Sequence, residues 1–239
     1  MIKELLFHPK LCLDCHEEWT KSKGLCKDCL EKIEYVYGRN RILSDVDCVF
    51  PFYYGGEIKK LLIRYKFRNE SYLYRVFTEL LYAYIKDYRE NWDEIITVPY
   101  TDKKAAKRGY EPVTIIGKEL SRKLKIDFSL SSRKSRETED QHFLNAEERI
   151  ENVKDAFYCN PKVKGKRILL LDDIMTSGAT LRELSETLLK AGAKTVDCLV
   201  IASEKREEKG YWVRHEVECD RGKRGVMDEN EGNARFLLR

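Results

Sequence analysis

The segment that most constrains the fold is 167–171, an arginine and four apolar residues, followed at once by Asp172 and Asp173. A run of this length is typical of a strand that is buried on both faces of a parallel sheet. In open α/β sheets, ligands bind beyond the carboxyl ends of the strands. Two adjacent carboxylates at such a strand end repel each other, so they predict a polar or cationic neighbour, either a polyhydroxyl ligand or Mg²⁺.

The residues after the aspartates predict a phosphate-binding turn. Segment 176–180, Thr-Ser-Gly-Ala-Thr, offers small side chains, hydroxyls and one glycine where a helix is predicted to begin. Backbone amides that turn inward at a helix N-terminus form a cradle for an anion. The alternative is a plain strand–turn–helix in which Ser177 or Thr180 only caps the helix, but this leaves the paired aspartates unexplained.

Strand-like and helix-like segments alternate along the chain, which predicts an α/β fold with a parallel sheet flanked by helices. The predicted strands are 46–54 (a strand or hairpin), 94–99, 126–130, 167–171 and 195–201; the predicted helices are 58–65, 73–84, 113–124 and 179–191. The polar segment 131–148 predicts a mobile loop of the kind that forms a lid.

Four of the eight cysteines form two identical pairs, Cys12-x-x-Cys15 and Cys26-x-x-Cys29. Two such turns complete the tetrahedral sulfur shell that zinc prefers, with no position open for a substrate, which predicts a structural Zn²⁺ site. A segment this short cannot bury enough apolar area to fold alone, so the metal would provide most of its folding free energy. A redox pair or incidental thiols are the alternative, and His16 is an alternative ligand.

Charge and hydropathy exclude several functions. The 45 basic and 41 acidic residues leave a net charge of +4, so any nucleic-acid surface has to be local. The segment Arg-Tyr-Lys-Phe-Arg at 64–68 could stack on bases and bind phosphates of single-stranded DNA, but basic side chains on the solvent face of a helix explain it more simply. The N-terminus lacks a signal peptide and no stretch is apolar enough to span a bilayer, which predicts a cytoplasmic protein without membrane insertion.

The segment 169–180 resembles the phosphoribosyl-pyrophosphate motif of type I phosphoribosyltransferases: apolar residues, two acids, and then a Thr-Ser-Gly-x-Thr loop. The resemblance implies that 5-phosphoribosyl-1-pyrophosphate is the ligand. Asp172 and Asp173 would hydrogen-bond its two ribose hydroxyls. The loop residues would hold its 5′-phosphate: Thr176, Ser177, Gly178, Ala179 and Thr180.

The same resemblance implies the rest of the donor site. A pyrophosphate-binding loop would follow the strand at 94–99, with Tyr100 and Thr101 in the loop and Lys103, Lys104 or Arg108 as counter-charge. Mg²⁺ would accompany the donor pyrophosphate. The long loop at 131–148 would act as the flexible lid.

The order of the motifs resembles the ComF family over about residues 8–202. The cysteine module is followed by a Val-Pro loop, Arg-Gly-Tyr-Glu at 108–111, Arg-x-Thr-x-x-Gln at 136–141, Arg-x-x-Asn-Val at 149–153 and the aspartate motif. The resemblance implies a link to natural competence, the uptake of single-stranded DNA. Tyr110 and Glu111 replace a more usual Phe-Asn, and the charged tail has no recognised counterpart, which leaves the acceptor open.

Two functions follow from these patterns. One is a phosphoribosyltransferase with an unknown acceptor, and the other is a binding module of the DNA-uptake machinery that senses a nucleotide and contacts a helicase or single-stranded DNA. Three domains are predicted: a zinc-binding module at 1–45, a phosphoribosyltransferase-like domain with hood helices and a flexible loop at 46–203, and a charged C-terminal tail at 204–239.

Overall fold

A computed structural model describes residues 11–18, 20, 24–88, 91–100, 109–134, 148 and 152–204. The strands are β1 (Gly38–Leu43), β2 (Val46–Phe50), β3 (Phe52–Tyr53), β4 (Glu94–Thr97), β5 (Asp127–Ser129), β6 (Ser132–Lys134), β7 (Phe157–Cys159), β8 (Arg167–Met175) and β9 (Thr195–Ser203). The helices are α1 (Lys27–Glu31), α2 (Gly56–Phe67), α3 (Tyr74–Ile85), α4 (Pro112–Leu124) and α5 (Ala179–Lys190), with 3-10 turns at Ser71–Leu73 and Pro161–Val163. In the part of the chain so described, no helix combines the length and apolarity needed to cross a bilayer.

The main sheet is mostly parallel. Its strand order is β1-β2-β9-β8-β4-β5, and β3 also pairs with β9. The one antiparallel pair in this sheet is the hairpin of β1 and β2; the remaining pairs are parallel. The predicted α/β class with a mostly parallel sheet is therefore confirmed, and β8, which carries the paired aspartates, lies between β9 and β4.

Side chains of β8 alternate between two apolar cores, as successive residues of a strand must. Leu169 and Leu171 pack with α2, α3 and α4 on one face, and Ile168 and Leu170 pack with α5 on the other. The sequence of a strand that is buried on both faces is a continuous apolar run. The sequence of β8 therefore predicts that this strand lies in the interior of the sheet.

Several boundaries differ from the sequence prediction. The strand β8 does not end at the aspartates but continues through them to Met175, because its pairing with β9 extends to Met175 opposite Ser203. The predicted strand 46–54 is interrupted at Pro51, and its antiparallel partner β1 lies inside the range assigned to the zinc-binding module. Polar β1 was not predicted, since its order depends on pairs across the hairpin such as Arg39 Nε with Asp47 Oδ2 at 2.9 Å.

The predicted loop at 131–148 begins with a strand. Residues of β6 pair antiparallel with β7, Ser132 opposite Cys159 and Lys134 opposite Phe157, a contact that no local pattern reveals. Residues 135–147 of the predicted lid and residues 205–239 of the predicted tail lie outside the described residues. The division into three domains stays a prediction.

Candidate functional site

A recess opens where β8 passes into α5. Its walls enclose about 240 Å³ of space open to solvent and are lined by Asp172, Ile174, Met175, Leu181 and the whole turn 176–180. Gly178 at the start of α5 has φ +80°, the left-handed region, and a Cβ there would lie 3.3 Å from Ile42 Cδ1. The positive φ favours glycine at this position, and a larger residue would also crowd the side chain of Ile42.

Ser177 has a local hydrogen bond in this turn. Its Oγ accepts a hydrogen bond from the backbone amide of Ala179 at 3.3 Å, so the helix-capping role considered for Ser177 has some structural support. The N-cap residue of α5 is Gly178, which has no side chain to form a capping hydrogen bond. The turn therefore combines a helix N-terminus with a solvent-open recess, the arrangement that binds anions through backbone amides.

The two aspartates leave β8 on opposite sides, because successive side chains of a strand alternate. Asp172 lines the recess, whereas Asp173 points toward α2, where it meets Lys66. The backbone amide of Asp173 donates to Asp172 Oδ1 at 2.8 Å. Burial and the negative charge of Asp173 raise the pKa of Asp172 to about 7, so this carboxyl exchanges its proton near neutral pH.

This shift predicts that folding stability falls as the pH rises from about 5 to about 8.5, because Asp172 binds its proton more tightly in the folded than in the unfolded chain. The stabilising contribution is complete below the ordinary carboxyl pKa and is lost as the pH passes about 7. Urea denaturation at both pH values measures the effect. Asp172→Asn should flatten the dependence, and an unchanged slope in that variant would contradict the assignment.

The basic segment 64–68 is neither a free DNA-binding surface nor a simple solvent face. The Nζ of Lys66 lies 2.8 Å from Asp173 Oδ2, and Tyr65 is buried in the core. Phe67 and Arg68 are exposed. Sequence reasoning predicted a polyhydroxyl ligand or Mg²⁺ beside the aspartates and did not identify Lys66, because Lys66 and Asp173 are more than a hundred positions apart.

Arg64 joins α2 to the cysteine turn. Its guanidinium pairs with Asp14, which lies between Cys12 and Cys15, and with Glu70 Oε2 at 2.7 Å from Nη2. The Nε of Arg64 also donates to Glu70 Oε2 at 2.9 Å. The three side chains are at most 23% exposed, so this network is screened less than a surface ion pair.

Replacing Arg64 with methionine should lower the free energy of unfolding by about 1–3 kcal/mol, since it leaves two half-buried carboxylates without their cation. Lys60→Met is the matched control on the same helix, because Lys60 is exposed and pairs with nearby Glu57; it should change stability by less than about 0.5 kcal/mol. Urea denaturation compares them. Equal effects of the two substitutions would show that the Arg64 network contributes nothing beyond a surface pair.

The four predicted cysteines converge. Their Sγ atoms all lie within 4.8 Å of one another, and Cys15 Sγ is 3.8 Å from Cys26 Sγ. Four sulfurs at about 2.3 Å from a tetrahedral zinc ion are about 3.8 Å apart, so the separations suit that ion. His16, the alternative ligand, is exposed and places Nε2 3.4 Å from the hydroxyl of Tyr72.

Backbone amides support sulfur in its anionic form at this cluster. The amide of Cys26 donates to Cys12 Sγ at 3.3 Å, and the amide of Cys29 donates to Cys26 Sγ at 3.4 Å. Burial alone would raise the pKa of Cys12, but hydrogen bonds from the backbone of Cys26, Cys15 and Asp14 lower it to about 7, whereas burial raises the pKa of Cys26 and Cys29 above the ordinary thiol value. The cluster can therefore hold a metal ion, and a thiolate is the form that binds metals.

The predicted pyrophosphate loop is described only at its start. Tyr100 follows β4 and lies near enough to Lys66 to contribute to that residue's raised pKa. Thr101, Lys103, Lys104 and Arg108 lie outside the described residues. Lys134, at the end of β6, is a second cation near the aspartates, since its charge lowers the pKa of Asp172.

Comparisons with known proteins agree with this arrangement. The family model described as the phosphoribosyl transferase domain matches residues 69–229, more than half of the chain. The chain is 30% identical over 192 residues to the DNA utilization protein YhgH of Shigella flexneri, covering 78% of this chain and 81% of that protein. It is 28% identical over 200 residues to Competence protein F of Haemophilus influenzae, covering 78% and 87%.

A third relative is Competence protein ComFC of Streptococcus pneumoniae, 30% identical over 145 residues, with 61% of this chain and 63% of that protein covered. The parallel sheet, the recess after β8 and the domain match define the class of phosphoribosyltransferase domains. Within that superfamily, the chain belongs to the ComF family. The resemblance seen in the sequence motifs is thereby confirmed.

Proposed function

We propose that this ComF protein binds 5-phosphoribosyl-1-pyrophosphate, or a nucleotide with the same ribose 5-phosphate end, and transfers the phosphoribosyl group to an acceptor. The observation that carries the proposal is that Asp172 and the turn 176–180 line one recess at the carboxyl end of a central parallel strand. That position is where open α/β sheets bind ligands. The family match to a phosphoribosyl transferase domain supports the same class of ligand.

In this proposal, the turn binds the 5′-phosphate. Residues 176–180, which carry the amides and hydroxyls proposed to bind the phosphate, line a recess at the N-terminus of α5, whose helix dipole also favours an anion. Asp172 and Asp173 accept hydrogen bonds from the two ribose hydroxyls. A hydroxyl that donates to a carboxylate forms a charge-assisted hydrogen bond, which is stronger than one between neutral groups.

The transfer breaks the bond between the anomeric carbon and pyrophosphate and forms a bond from that carbon to the acceptor. Positive charge builds on the sugar as the bond breaks, and the nearby carboxylates stabilise it electrostatically. The leaving group gathers negative charge. We assign the stabilisation of that charge to the loop of Tyr100, Thr101, Lys103 and Arg108. Mg²⁺, when bound to the pyrophosphate, would supply further positive charge to that leaving group.

We further propose that the cysteine cluster holds a structural zinc ion. The mutual separation of the four sulfurs and the amide hydrogen bonds to the sulfurs of Cys12 and Cys26 support the proposal. Cys12, Cys15, Cys26 and Cys29 would be the ligands. Zinc would cross-link the N-terminal turns against α2 and α3, since Cys12, Cys26 and Cys29 share an apolar core with residues of those helices.

The alternative is a nucleotide-sensing module that does not turn over and instead contacts single-stranded DNA or a helicase. The name of the relative from Shigella flexneri, a DNA utilization protein, favours it. The ion pairs of Arg64 and Lys66 count against the segment 64–68 as the DNA-binding surface, because two of its three cations are already engaged within the chain. Transfer of phosphoribose therefore remains the function that the site supports best.

Calorimetric titration of the zinc-loaded protein with 5-phosphoribosyl-1-pyrophosphate and Mg²⁺ tests the donor site. Binding with one site per chain is expected. Filter binding of single-stranded DNA to the same preparation tests the alternative. DNA binding without any binding of the donor would contradict the transferase proposal.

A further inference from the structure

Lys66, near the C-terminal end of α2, is a buried cation at the candidate site. Its Nζ lies 2.8 Å from Asp173 Oδ2, and the side chains of both residues are only 13% exposed. Burial by itself would lower the pKa of Lys66, but the charge of Asp173 and the hydrogen bond to it raise the pKa above its ordinary value. The ammonium group therefore stays charged throughout the physiological pH range and is a permanent neighbour of the aspartates.

The helix that carries Lys66 is fixed at the two preceding residues. Arg64 pairs with Asp14 and Glu70. The hydroxyl of Tyr65 donates to the carbonyl of Pro112 at 2.8 Å, and Tyr110 donates to the carbonyl of Tyr65. These contacts hold the end of α2 against the start of α4, so Lys66 is placed by its neighbours and is not a mobile surface lysine.

A magnesium ion does not fit the aspartate pair itself. Mg²⁺ binds directly to ionised carboxylates in near-octahedral geometry. Here the carboxylate of Asp173 is already paired with the ammonium group of Lys66, whose Nζ lies 2.8 Å from Asp173 Oδ2. A divalent cation at the pair would also be repelled by the ammonium group.

The other potential metal ligands lie elsewhere. Over the ranges that the structure describes, the one group of three or more metal-ligating side chains is the cysteine cluster. In the described residues, the cation that pairs with Asp173 is the ammonium group of Lys66.

We propose that Lys66 is the resident cation of this site and a positioning residue: it fixes the carboxylate of Asp173, one of the two proposed acceptors for the ribose hydroxyls, in place of a divalent ion, so that the ribose 5-phosphate end of a ligand binds without Mg²⁺. The inference rests on the proposed function and deepens it, because it assigns the recognition of the sugar to a fixed ion pair. Any requirement for Mg²⁺ in binding the complete donor then arises from the donor's pyrophosphate group alone.

Ribose 5-phosphate is the appropriate probe, because it carries the sugar and the 5′-phosphate but no pyrophosphate that could recruit Mg²⁺. Isothermal titration calorimetry of the full-length, zinc-loaded protein is performed in Mg²⁺-free buffer and in excess Mg²⁺. No chelator is added, since it would also remove zinc from the cysteines. The variants are Lys66→Met, which keeps the length of the side chain without its charge, Lys66→Arg, which keeps the charge, and Lys60→Met, an exposed control on the same helix.

We expect the parent protein to bind ribose 5-phosphate equally well in both buffers. Lys66→Met should weaken binding by about tenfold or more, the equivalent of one charged hydrogen bond, while Lys66→Arg stays within a few-fold of the parent and Lys60→Met matches it. Carbon-13 NMR of the ligand-free protein provides a second readout that needs no ligand. Since the charge of Lys66 lowers the pKa of Asp172, that pKa should rise further in Lys66→Met.

Three outcomes would overturn the inference. One is that the parent needs Mg²⁺ to bind ribose 5-phosphate, and another is that Lys66→Met binds it as tightly as the parent or more tightly, which would make Lys66 an obstruction. The third is an Asp172 pKa that does not change in Lys66→Met. If the parent binds ribose 5-phosphate in neither buffer, the proposed function fails too; if the parent binds and the Lys66→Met result alone is negative, only the role of Lys66 fails.

Discussion

Replacing Asp172 and Asp173 together with asparagine should abolish measurable binding of 5-phosphoribosyl-1-pyrophosphate. The substitution preserves side-chain size but removes the charge that would accept hydrogen bonds from the ribose hydroxyls. Hydrogen bonds to charged groups contribute about 1.5–3 kcal/mol each, so losing two should weaken binding by on the order of 100-fold or more. Calorimetric titration of the zinc-loaded protein, run beside the parent, measures the effect.

A matched control separates the site from the general effect of losing two negative charges. Asp45 in the turn between β1 and β2 and Asp127 at the start of β5 are both exposed, so the double change Asp45→Asn with Asp127→Asn removes the same charge elsewhere. The control should bind the donor as the parent does. Thermal unfolding of each protein is needed as well, because Asp173→Asn leaves the buried ammonium of Lys66 without its partner.

The two proposed functions diverge in this experiment. If the protein is a transferase, donor binding and transfer are lost together in the variant with two asparagines. If it is a DNA-uptake module, binding of single-stranded DNA or of a helicase survives in that variant and responds instead to changes at Lys66 and Arg68. Equal donor binding by the parent and the variant would show that the two aspartates are not part of the donor site.

Cys26→Ser should release the metal and destabilise the protein by more than about 4 kcal/mol, the range typical of losing a structural metal site. Cys26 is buried, and its sulfur lies 3.8 Å from that of Cys15. The effect should extend beyond the N-terminal turns, because Cys12, Cys26 and Cys29 pack in one apolar cluster with Leu61 of α2 and Phe77 of α3. Elemental analysis should find one zinc ion per parent chain and none in the variant.

Cys48→Ser is the control for replacing a buried sulfur atom with oxygen. Cys48 is also fully buried, in β2 opposite Cys198 and outside the cluster, so its replacement costs packing without removing a ligand. It should keep one zinc ion per chain. Full zinc content in Cys26→Ser, or no zinc in the parent, would refute the zinc assignment, and reversible oxidation of the cluster would then favour the redox alternative.

The elements that the sequence predicts well are those whose signal is local. The apolar run of β8, the amphipathic helices and the small residues at 176–180 each reflect the environment of a single segment, and the structure contains a strand, helices and a recess there. The repeated Cys-x-x-Cys spacing is local as well. Its two turns predict a common point for four sulfurs, and the sulfurs do converge.

Contacts between distant segments were not predictable in the same way. The pairing of β6 with β7 joins residues across a polar segment that looked like an uninterrupted loop. The strand β1 is too polar to be recognised without its partner β2. The extension of β8 beyond the aspartates likewise depends on its neighbour β9, because backbone hydrogen bonds between strands, not side-chain pattern, decide where a strand ends.

Tyr110 illustrates how a departure from a family motif acquires a structural reason. In the sequence it replaces a more usual phenylalanine, and nothing local explains the added hydroxyl. In the structure that hydroxyl donates to the carbonyl of Tyr65 and thereby ties the start of α4 to α2. The substitution therefore acts on the position of α2, and through it on Lys66.

The sequence by itself determined the α/β class, the family, the small-residue turn at 176–180 and the four converging cysteines, because each of these is encoded in a contiguous pattern or in a repeated spacing. Only the tertiary structure decided what neutralises the aspartates. It directed Asp172 toward the recess and Asp173 toward the ammonium of Lys66, since strand alternation separates adjacent side chains and the packing of α2 on the sheet brings a distant lysine to one of them.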